Sequence, residues 1–379
     1  MKKVLMCVLA LVMGLSMFAC AATPAPAATT EATEAPAAAA AEATEAVAAV
    51  TGYIGISMPT QSSERWIKDG NTMKEILEAK GYTVDLQYAE DDIPTQKSQI
   101  ENMITKGANV LIIAAVDGST LSATLDQAGK DGVKIISYDR LLVDTDAVSY
   151  YATFDNRGVG RLQAQSLVDG LKALKGEGPY NVELFAGSPD ATNSFYFYSG
   201  AMDVLQPLMD AGTIKVVSGQ TAQADIGTLR WDGAVAQSRM DALLAANYSS
   251  GEQLDGVLSP YDGLSRGIIS ALVSFGYQPG TDNWPVVTGQ DAEAASIKLI
   301  ISGEQYSTIL KDTRDLAKVA ADMVDAVLTG TEPEINDTTT YDNNVKIVPS
   351  YLLIPYTVTV DNYQELVMDS GYLTADDIK

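Results

Sequence analysis

The sequence predicts an α/β protein of two doubly wound lobes, each built on a parallel sheet, and three observations carry that expectation. Short apolar runs alternate with stretches whose apolar residues recur at helical spacing, the order of a parallel sheet with crossover helices. Residues 110–116 are apolar without a break, as a strand covered on both faces requires. The rhythm completes once before about Asp155 and begins again after it. With 379 residues and 46% apolar side chains, the chain can bury a large core and has room for two or three domains.

In chain order, the first segment is an address rather than part of the fold. Lys2 and Lys3 precede an apolar stretch, residues 4–18, of signal-peptide length and short of the roughly 20 residues a membrane span needs. The run Ser16, Met17, Phe18, Ala19, Cys20, Ala21 resembles a bacterial lipobox, which makes residues 1–19 a signal peptide and Cys20 the lipid-carrying first residue of the exported chain. Cleavage after Ala19 that leaves a free thiol is the alternative. Residues 21–50 hold 16 Ala, 5 Thr, 4 Glu, 3 Pro and 2 Val, nothing that could form a core, so residues 20–50 are expected to be a tether.

The globular pattern starts at residue 51. A strand at 53–58 leads to a helix with Trp66, Met73, Ile76 and Leu77 on one face and Gly81 at its end. A strand at 84–88 precedes a helix opened by Pro94 and closed by Gly107. The strand at 110–116, a helix through Leu121, Leu125 and Ala128, and a strand at 133–138 complete the first unit. The second is read as helix 157–174, strand 181–185, helix 194–210, strand 214–218, helix 232–247, strand 256–259, helix 262–274, strand 286–288 and helix 292–302. The remaining strand 306–310, helix 316–328, strand 345–353 and tail are too short for a third lobe and are expected to complete both sheets.

Composition removes several function classes. Lys plus Arg number 25 against 49 Asp plus Glu, a net charge of −24 that sets the average surface against a phosphate backbone. The chain has no histidine, and its two cysteines, Cys7 and Cys20, lie in the first twenty residues. Histidine-based nucleophile systems, imidazole or cysteine metal sites and a disulfide framework are therefore not expected, and neither is a cofactor. Gly263-Leu264-Ser265-Arg266-Gly267 fits a nucleophile-elbow spacing, yet its serine lacks the usual base. Glu90, Asp91 and Asp92 lack calcium-loop spacing and read as a solvated turn before Pro94.

In open α/β sheets ligands sit beyond the carboxyl ends of the strands, so two facing lobes would share one cleft there. Asp139 and Arg140 follow the strand at 133–138, Tyr261 and Asp262 the strand at 256–259, Gln290 and Asp291 the strand at 286–288, and Lys311 the strand at 306–310. Arg65 and Trp66 lie near the first strand, and Trp231 opens a helix of the second unit. Carboxylates accept from hydroxyls, Arg and Lys donate to ring or hydroxyl oxygens, and an indole covers the C–H face of a pyranose, so the set describes a sugar site. Taken singly, strand-end Asp residues also serve as helix caps, and Arg and Trp also simply pack. Asp139 and Asp291 as a glycosidase carboxylate pair are a minor alternative.

Eight blocks then carry a family resemblance: SSERWIKDG (62–70), YAEDDIPTQKSQIENMITKGANVLIIAAVDG (88–118), ISYDRL (136–141), YYATFDN (150–156), FAGSPDATN (185–193), LSPYDGLS (258–265), GQDAE (289–293) and ILKDT (309–313). From about Tyr53 onward the chain resembles the periplasmic sugar-binding proteins of ABC importers, in the ribose, xylose and galactose group. It is especially similar to the xylose-binding and multiple-sugar-binding receptors. The resemblance implies two Rossmann-like lobes, 52–154 plus 312–350 and 155–311 plus 351–379, joined by three hinge crossings near 154, 312 and 350. It implies sugar contacts from Arg65, Trp66, Asp139, Arg140, Asn193, Trp231, Asp291 and Lys311. Tyr261-Asp262 replaces the Asn-Asp of xylose- and ribose-type relatives, and Asp262 is taken as the contact. The implied ligand is a monosaccharide of xylose, glucose, galactose or arabinose type. The implied protein is an exported monomer without enzymatic activity, held to the membrane only by its lipid and serving an ABC permease and its ATPase. Presentation of the closed form to a chemoreceptor or sensor kinase is the alternative, and an exported glycan enzyme a third.

Overall fold

The computed structural model describes residues 51–379, so the leader, Cys20 and the tether lie outside the described residues. The first unit runs β1 (Tyr53–Met58), α1 (Glu64–Ala79), β2 (Thr83–Tyr88), α2 (Ile93–Thr105), β3 (Val110–Ile113), α3 (Ser122–Lys130), β4 (Lys134–Tyr138) and β5 (Val148–Phe154). The second runs α4 (Asn156–Lys175), β6 (Tyr180–Leu184), α5 (Thr192–Asp210), β7 (Ile214–Val216), the single turn α6 (Gln223–Ile226), α7 (Gly233–Asn247), β8 (Gly256–Leu258), α8 (Asp262–Phe275), β9 (Val286–Val287), α9 (Ala294–Ser302) and β10 (Ser307–Leu310). Last come α10 (Thr313–Thr329), β11 (Ser350–Leu353) and β12 (Tyr356–Thr359).

Six strands form one sheet in the order β11-β5-β4-β3-β1-β2, every pair parallel. Four form a second parallel sheet, β7-β6-β8-β9. β10 and β12 pair antiparallel, and the Tyr306 amide donates to the Val287 carbonyl at 2.8 Å, tying that ladder to β9. Strand β3 shows why its sequence reads as an unbroken apolar run. Val110 and Ile112 point into a core with α1 and α10, while Leu111 and Ile113 point into the opposite core with α2 and α3. The second sheet is likewise covered, by α4 and α5 on one face and α7 and α8 on the other.

Local chemistry sets the helix ends. Asp92, Asp155, Asp232 and Asp312 each accept a first-turn backbone N–H, as N-caps do, and Gly276, Gly303 and Gly330 take the left-handed C-cap conformation. Helices α4 and α5 touch backbone to backbone, because a Cβ on Gly160 would lie 1.9 Å from the Phe197 carbonyl oxygen. That contact seats the first turns of α5, which carry Asn193 and Phe197.

The structure departs from the sequence reading in four places. Residues 148–154, read only as a motif, form β5, and the tail contributes β12 and a π-helical turn, Gln364–Asp369, that packs on α9 and β10. Residues 345–349 are not strand: the Asn343 amide donates to the Lys346 carbonyl and the Val348 amide to the Tyr341 carbonyl, folding them into a turn before β11. Trp231 does not begin a helix but ends a 3₁₀ turn, Leu229–Trp231, ahead of the Asp232 cap. The chain passes between the two sheets after β5, after β10 and after β11. Because β11 pairs with β5, the third passage falls a few residues beyond position 350.

Candidate functional site

The carboxyl ends of β1 and β4 meet those of β8, β9 and β10 across a narrow cleft lined mainly by polar, charged and aromatic side chains. Its walls include Arg65 and Trp66 at the start of α1, Asp139 and Arg140 after β4, Asn193 and Phe197 on α5, Arg230 and Trp231 before α7, Tyr261 after β8, Gln290 and Asp291 after β9, and Lys311 after β10. Nine described non-glycine residues have positive φ, and five of them, Asp91, Asp139, Arg230, Trp231 and Asp291, line this cavity. Such backbone costs on the order of 1–3 kcal/mol per residue and persists where surrounding contacts impose it. At Asp139 those contacts are visible: its amide donates to the Ala152 carbonyl, and its carbonyl accepts from the hydroxyls of Tyr151 (2.5 Å) and Thr153 (3.1 Å).

The centre of the site is an alternating set of buried charges. Arg65 Nη2 lies 3.0 Å from both Asp69 and Asp139, and its Nη1 lies 3.5 Å from Asp291. Lys311 Nζ lies 3.2 Å from Asp291 and 3.5 Å from Asp139. Asn193 Nδ2 donates to Asp139 Oδ1 at 2.9 Å. Arg65, Asp139 and Lys311 are at most 3% exposed, so each ion relies on its neighbours to offset lost hydration. Burial raises the Asp139 pKa, but Arg65, Lys311 and Arg140 outweigh it and bring the carboxyl down to about 2. Asp69, deeper and opposed by fewer cations, is pushed up by burial to about 6 despite Arg65. The Arg65 and Arg140 guanidiniums lie 4.4 and 5.1 Å from the centre of the Trp66 ring.

Thirteen buried side-chain polar atoms among the described residues lack an aligned hydrogen bond within the protein, and seven belong to cavity walls. They include acceptors, Asp139 Oδ2 and Asn193 Oδ1, and donors, Lys311 Nζ, Arg140 Nε and Trp231 Nε1. A wall offering both kinds at close range suits a small neutral ligand with several hydroxyls, since each hydroxyl donates and accepts. It does not suit acid–base chemistry through Asp139, which is ionised at any physiological pH. The Trp231 ring stands edge-on to Phe197 (6.3 Å between centroids) and Tyr261 (6.1 Å). A Cβ at Gly187 would come 1.9 Å from this indole, so only glycine leaves room for it.

Of the nine residues singled out in the sequence for a ligand, eight line the cavity: Arg65, Trp66, Asp139, Arg140, Asn193, Trp231, Asp291 and Lys311. Asp262 does not, which corrects the preference for it over Tyr261. Successive residues after β8 point to opposite sides, sending the Tyr261 ring into the cleft and the Asp262 carboxylate away from it, toward Glu293 and Gln305. There Asp262 accepts from the Glu293 amide (2.9 Å) and Gln305 Nε2 (2.8 Å), and burial, then Glu293, raise its pKa to about 8. Residues that the sequence reading passed over include Phe197, Arg230 and Asp91, while Gln290, noted at its strand end, also lines the cavity. Phe197 lies one turn beyond Asn193 on the same helix face, a spacing that could have found it. Asp91, read as part of a solvated turn, lies just past the carboxyl end of β2 and reaches the cavity, where burial raises its pKa.

A model of the periplasmic binding protein domain matches residues 54–332. The chain is 57% identical over 328 residues to the multiple sugar-binding periplasmic receptor ChvE of Rhizobium radiobacter, a match covering 86% of this chain and 92% of that protein. It is 35% identical over 319 residues to the D-xylose-binding periplasmic protein of Escherichia coli K12, covering 84% and 90%. Among solved structures, an ABC transporter solute-binding protein from Clostridium phytofermentans with bound β-D-glucose superimposes with a TM-score of 0.82 and 46% identity, over 86% of this chain and 100% of that one. Two parallel sheets facing each other across a charged cleft, joined by three strand-end passages, and these matches lead to one conclusion: the chain belongs to the periplasmic binding protein family, in its type I fold, a family of receptors rather than enzymes.

Proposed function

We propose that this protein is an exported receptor that captures one monosaccharide by closing two lobes and delivers it to an ABC permease and its ATPase. The observation that carries the reading is the buried set Arg65, Asp139, Asp291 and Lys311, with the Asn193, Arg140 and Trp231 polar atoms that lack an aligned partner beside it, facing the cleft between the two sheets. The names of the relatives, a multiple-sugar receptor and a xylose-binding protein, and the glucose held by the solved neighbour support an aldose of glucose, xylose, galactose or arabinose type. We assign 52–154 and 312–353 to the first lobe and 155–311 and 354–379 to the second; the packing of α10 on α1 and β5 supports the first grouping.

Arg65, Trp66, Asp139 and Arg140 would then bind from the first lobe, and Asn193, Trp231, Tyr261 and Asp291 from the second, with Lys311 at the hinge. Sugar docked on one lobe gains bonds from the other only on closure, and that difference shifts the balance toward the closed form. Bonds to charged groups contribute about 1.5–3 kcal/mol each, so several suffice to hold it. The closed monomer is what the permease would recognise, and lipid on Cys20 would keep it at the membrane. Thermal-shift and calorimetric titration with D-glucose, D-xylose, D-galactose and L-arabinose tests the reading. Ligand at a hundred times Kd should stabilise the protein by about 2.7 kcal/mol. If none of the four raises Tm or gives a binding heat, the sugar assignment fails.

A further inference from the structure

One carboxylate beside the cleft makes no wall of it and yet touches both lobes. Glu293, only 6% exposed, precedes α9 in the second lobe. Its Oε1 accepts from the Tyr261 hydroxyl at 2.7 Å and from Ser63 Oγ at 3.2 Å, and its Oε2 pairs with Arg266 Nη2 at 2.7 Å. Ser63 belongs to the first lobe, at the N-cap position of α1 two residues before Arg65, and its hydroxyl makes no cap bond within its own helix. Asp139, also a carboxylate at the cleft, keeps an oxygen without an aligned partner. Glu293 instead directs both of its oxygens to protein partners, so it is built to hold residues rather than ligand.

Resting on the sugar-receptor reading, we propose that Glu293 is a positioning residue that couples ligand contact to closure: it sets the Tyr261 ring against the ligand and latches the second lobe to Ser63 of the first. Rotation of the lobes apart breaks the Ser63 bond and leaves the Tyr261 and Arg266 bonds intact, because those two partners share Glu293's lobe. Glu293 therefore acts as a fixed bracket within one lobe and as a catch for the other. Tyr261 bridges the two roles, since its ring edge meets Trp231 in the cavity and its hydroxyl ends on the catch.

A double-mutant cycle tests this, using Glu293→Gln and Ser63→Ala, with Tyr261→Phe as a second, milder probe that removes one hydroxyl. Titrant is whichever of the four monosaccharides raises the wild-type Tm most. Glu293→Gln should weaken binding about tenfold or more, as loss of a charge-assisted bond implies, through faster dissociation with association little changed. Because the glutamine oxygen still accepts, though more weakly, Ser63→Ala should weaken binding less in the Glu293→Gln background than in the wild type, and Tyr261→Phe should likewise show non-additivity with Glu293→Gln. A purely structural role would lower the ligand-free Tm and leave the mutations additive, and additivity overturns the proposal. If Glu293→Gln does not fold, the Ser63→Ala and Tyr261→Phe pair decides, additivity again being the adverse result. A wild-type protein that binds none of the sugars overturns the function reading and the ligand half of this one. The latch half is then read by small-angle scattering, where an unchanged radius of gyration in Glu293→Gln overturns it.

Discussion

Replacing Asp139 by Asn keeps the side chain's shape and removes its charge, which isolates what the carboxylate does. Its Oδ2 lies 3.0 Å from Arg65 Nη2 and 3.5 Å from Lys311 Nζ, and its Oδ1 accepts from Asn193. Folding lowers its pKa from 3.8 to about 2 even though burial acts the other way. At about 1.4 kcal/mol per tenfold, the ionised form gains roughly 2–3 kcal/mol, present above the ordinary carboxyl range and lost as pH falls from about 4 through about 2. In the variant, Arg65 and Lys311 share only Asp69 and Asp291, and breaking a buried pair this way costs about 3–5 kcal/mol. A protein stable by about 5–15 kcal/mol survives that with a lower Tm. Loss of two charge-assisted bonds to sugar hydroxyls corresponds to at least about a hundredfold in Kd. Calorimetric titration at neutral pH measures the affinity, and urea unfolding at pH 7 and pH 3 measures the stability, with the gap between variant and wild type narrowing at pH 3. A Kd within twofold of wild type would refute the placement of Asp139 against the ligand.

Two other outcomes rest on single contacts. Gly187→Ala puts a methyl into the Trp231 indole, so it should weaken sugar binding at least tenfold and, with Trp66 still reporting, reduce the sugar-induced change in tryptophan fluorescence at saturating sugar; an unchanged fluorescence response counts against Trp231 as a ligand wall. Asp262 holds its proton up to about pH 8 in the folded state and to about pH 4 unfolded, so stability falls as pH rises between those values; Asp262→Asn should flatten that slope, and urea midpoints at pH 5 and pH 8 report it. An undiminished slope in the variant would show that Asp262 ionises normally.

Glu293 separates two contributions to affinity. The charge set at the cleft explains which chemistry is held, whereas the Ser63–Glu293–Tyr261 chain explains how holding it becomes closure. Arg65–Asp291 and Lys311–Asp139 also join residues on different elements across the cleft, at 3.5 Å, and all four of these side chains line the cavity, which the Glu293 side chain does not. Contacts that compete with ligand and contacts that only report its presence are thereby kept on different carboxylates.

Local patterns were enough for the two-lobed α/β plan. Alternating periodicities set strand and helix order, and the unbroken run at 110–116 announced a strand covered on both faces because side chains alternate across a sheet. Charged residues just past strand ends pointed to the cleft through the same regularity. What position at a strand end could not decide by itself was which aspartates line the cleft; the resemblance pointed to Asp139 and Asp291, which do, and Tyr261, rather than the expected Asp262, lines it after β8. Asp139, Asp155, Asp232, Asp262, Asp291 and Asp312 all follow a strand or open a helix. The fold turned Asp155, Asp232 and Asp312 onto helix N-termini, buried Asp262 behind Tyr261, and used left-handed backbone to aim Asp139 and Asp291 inward. Asp91, read as solvated, entered the cavity only because β2 ends beside it. Periodicity is a property of one segment, so it is legible residue by residue. Meeting across a gap, by contrast, depends on chain passages far apart in sequence, and only the packed tertiary structure brings Arg65, Asp139, Asp291 and Lys311 within bonding distance.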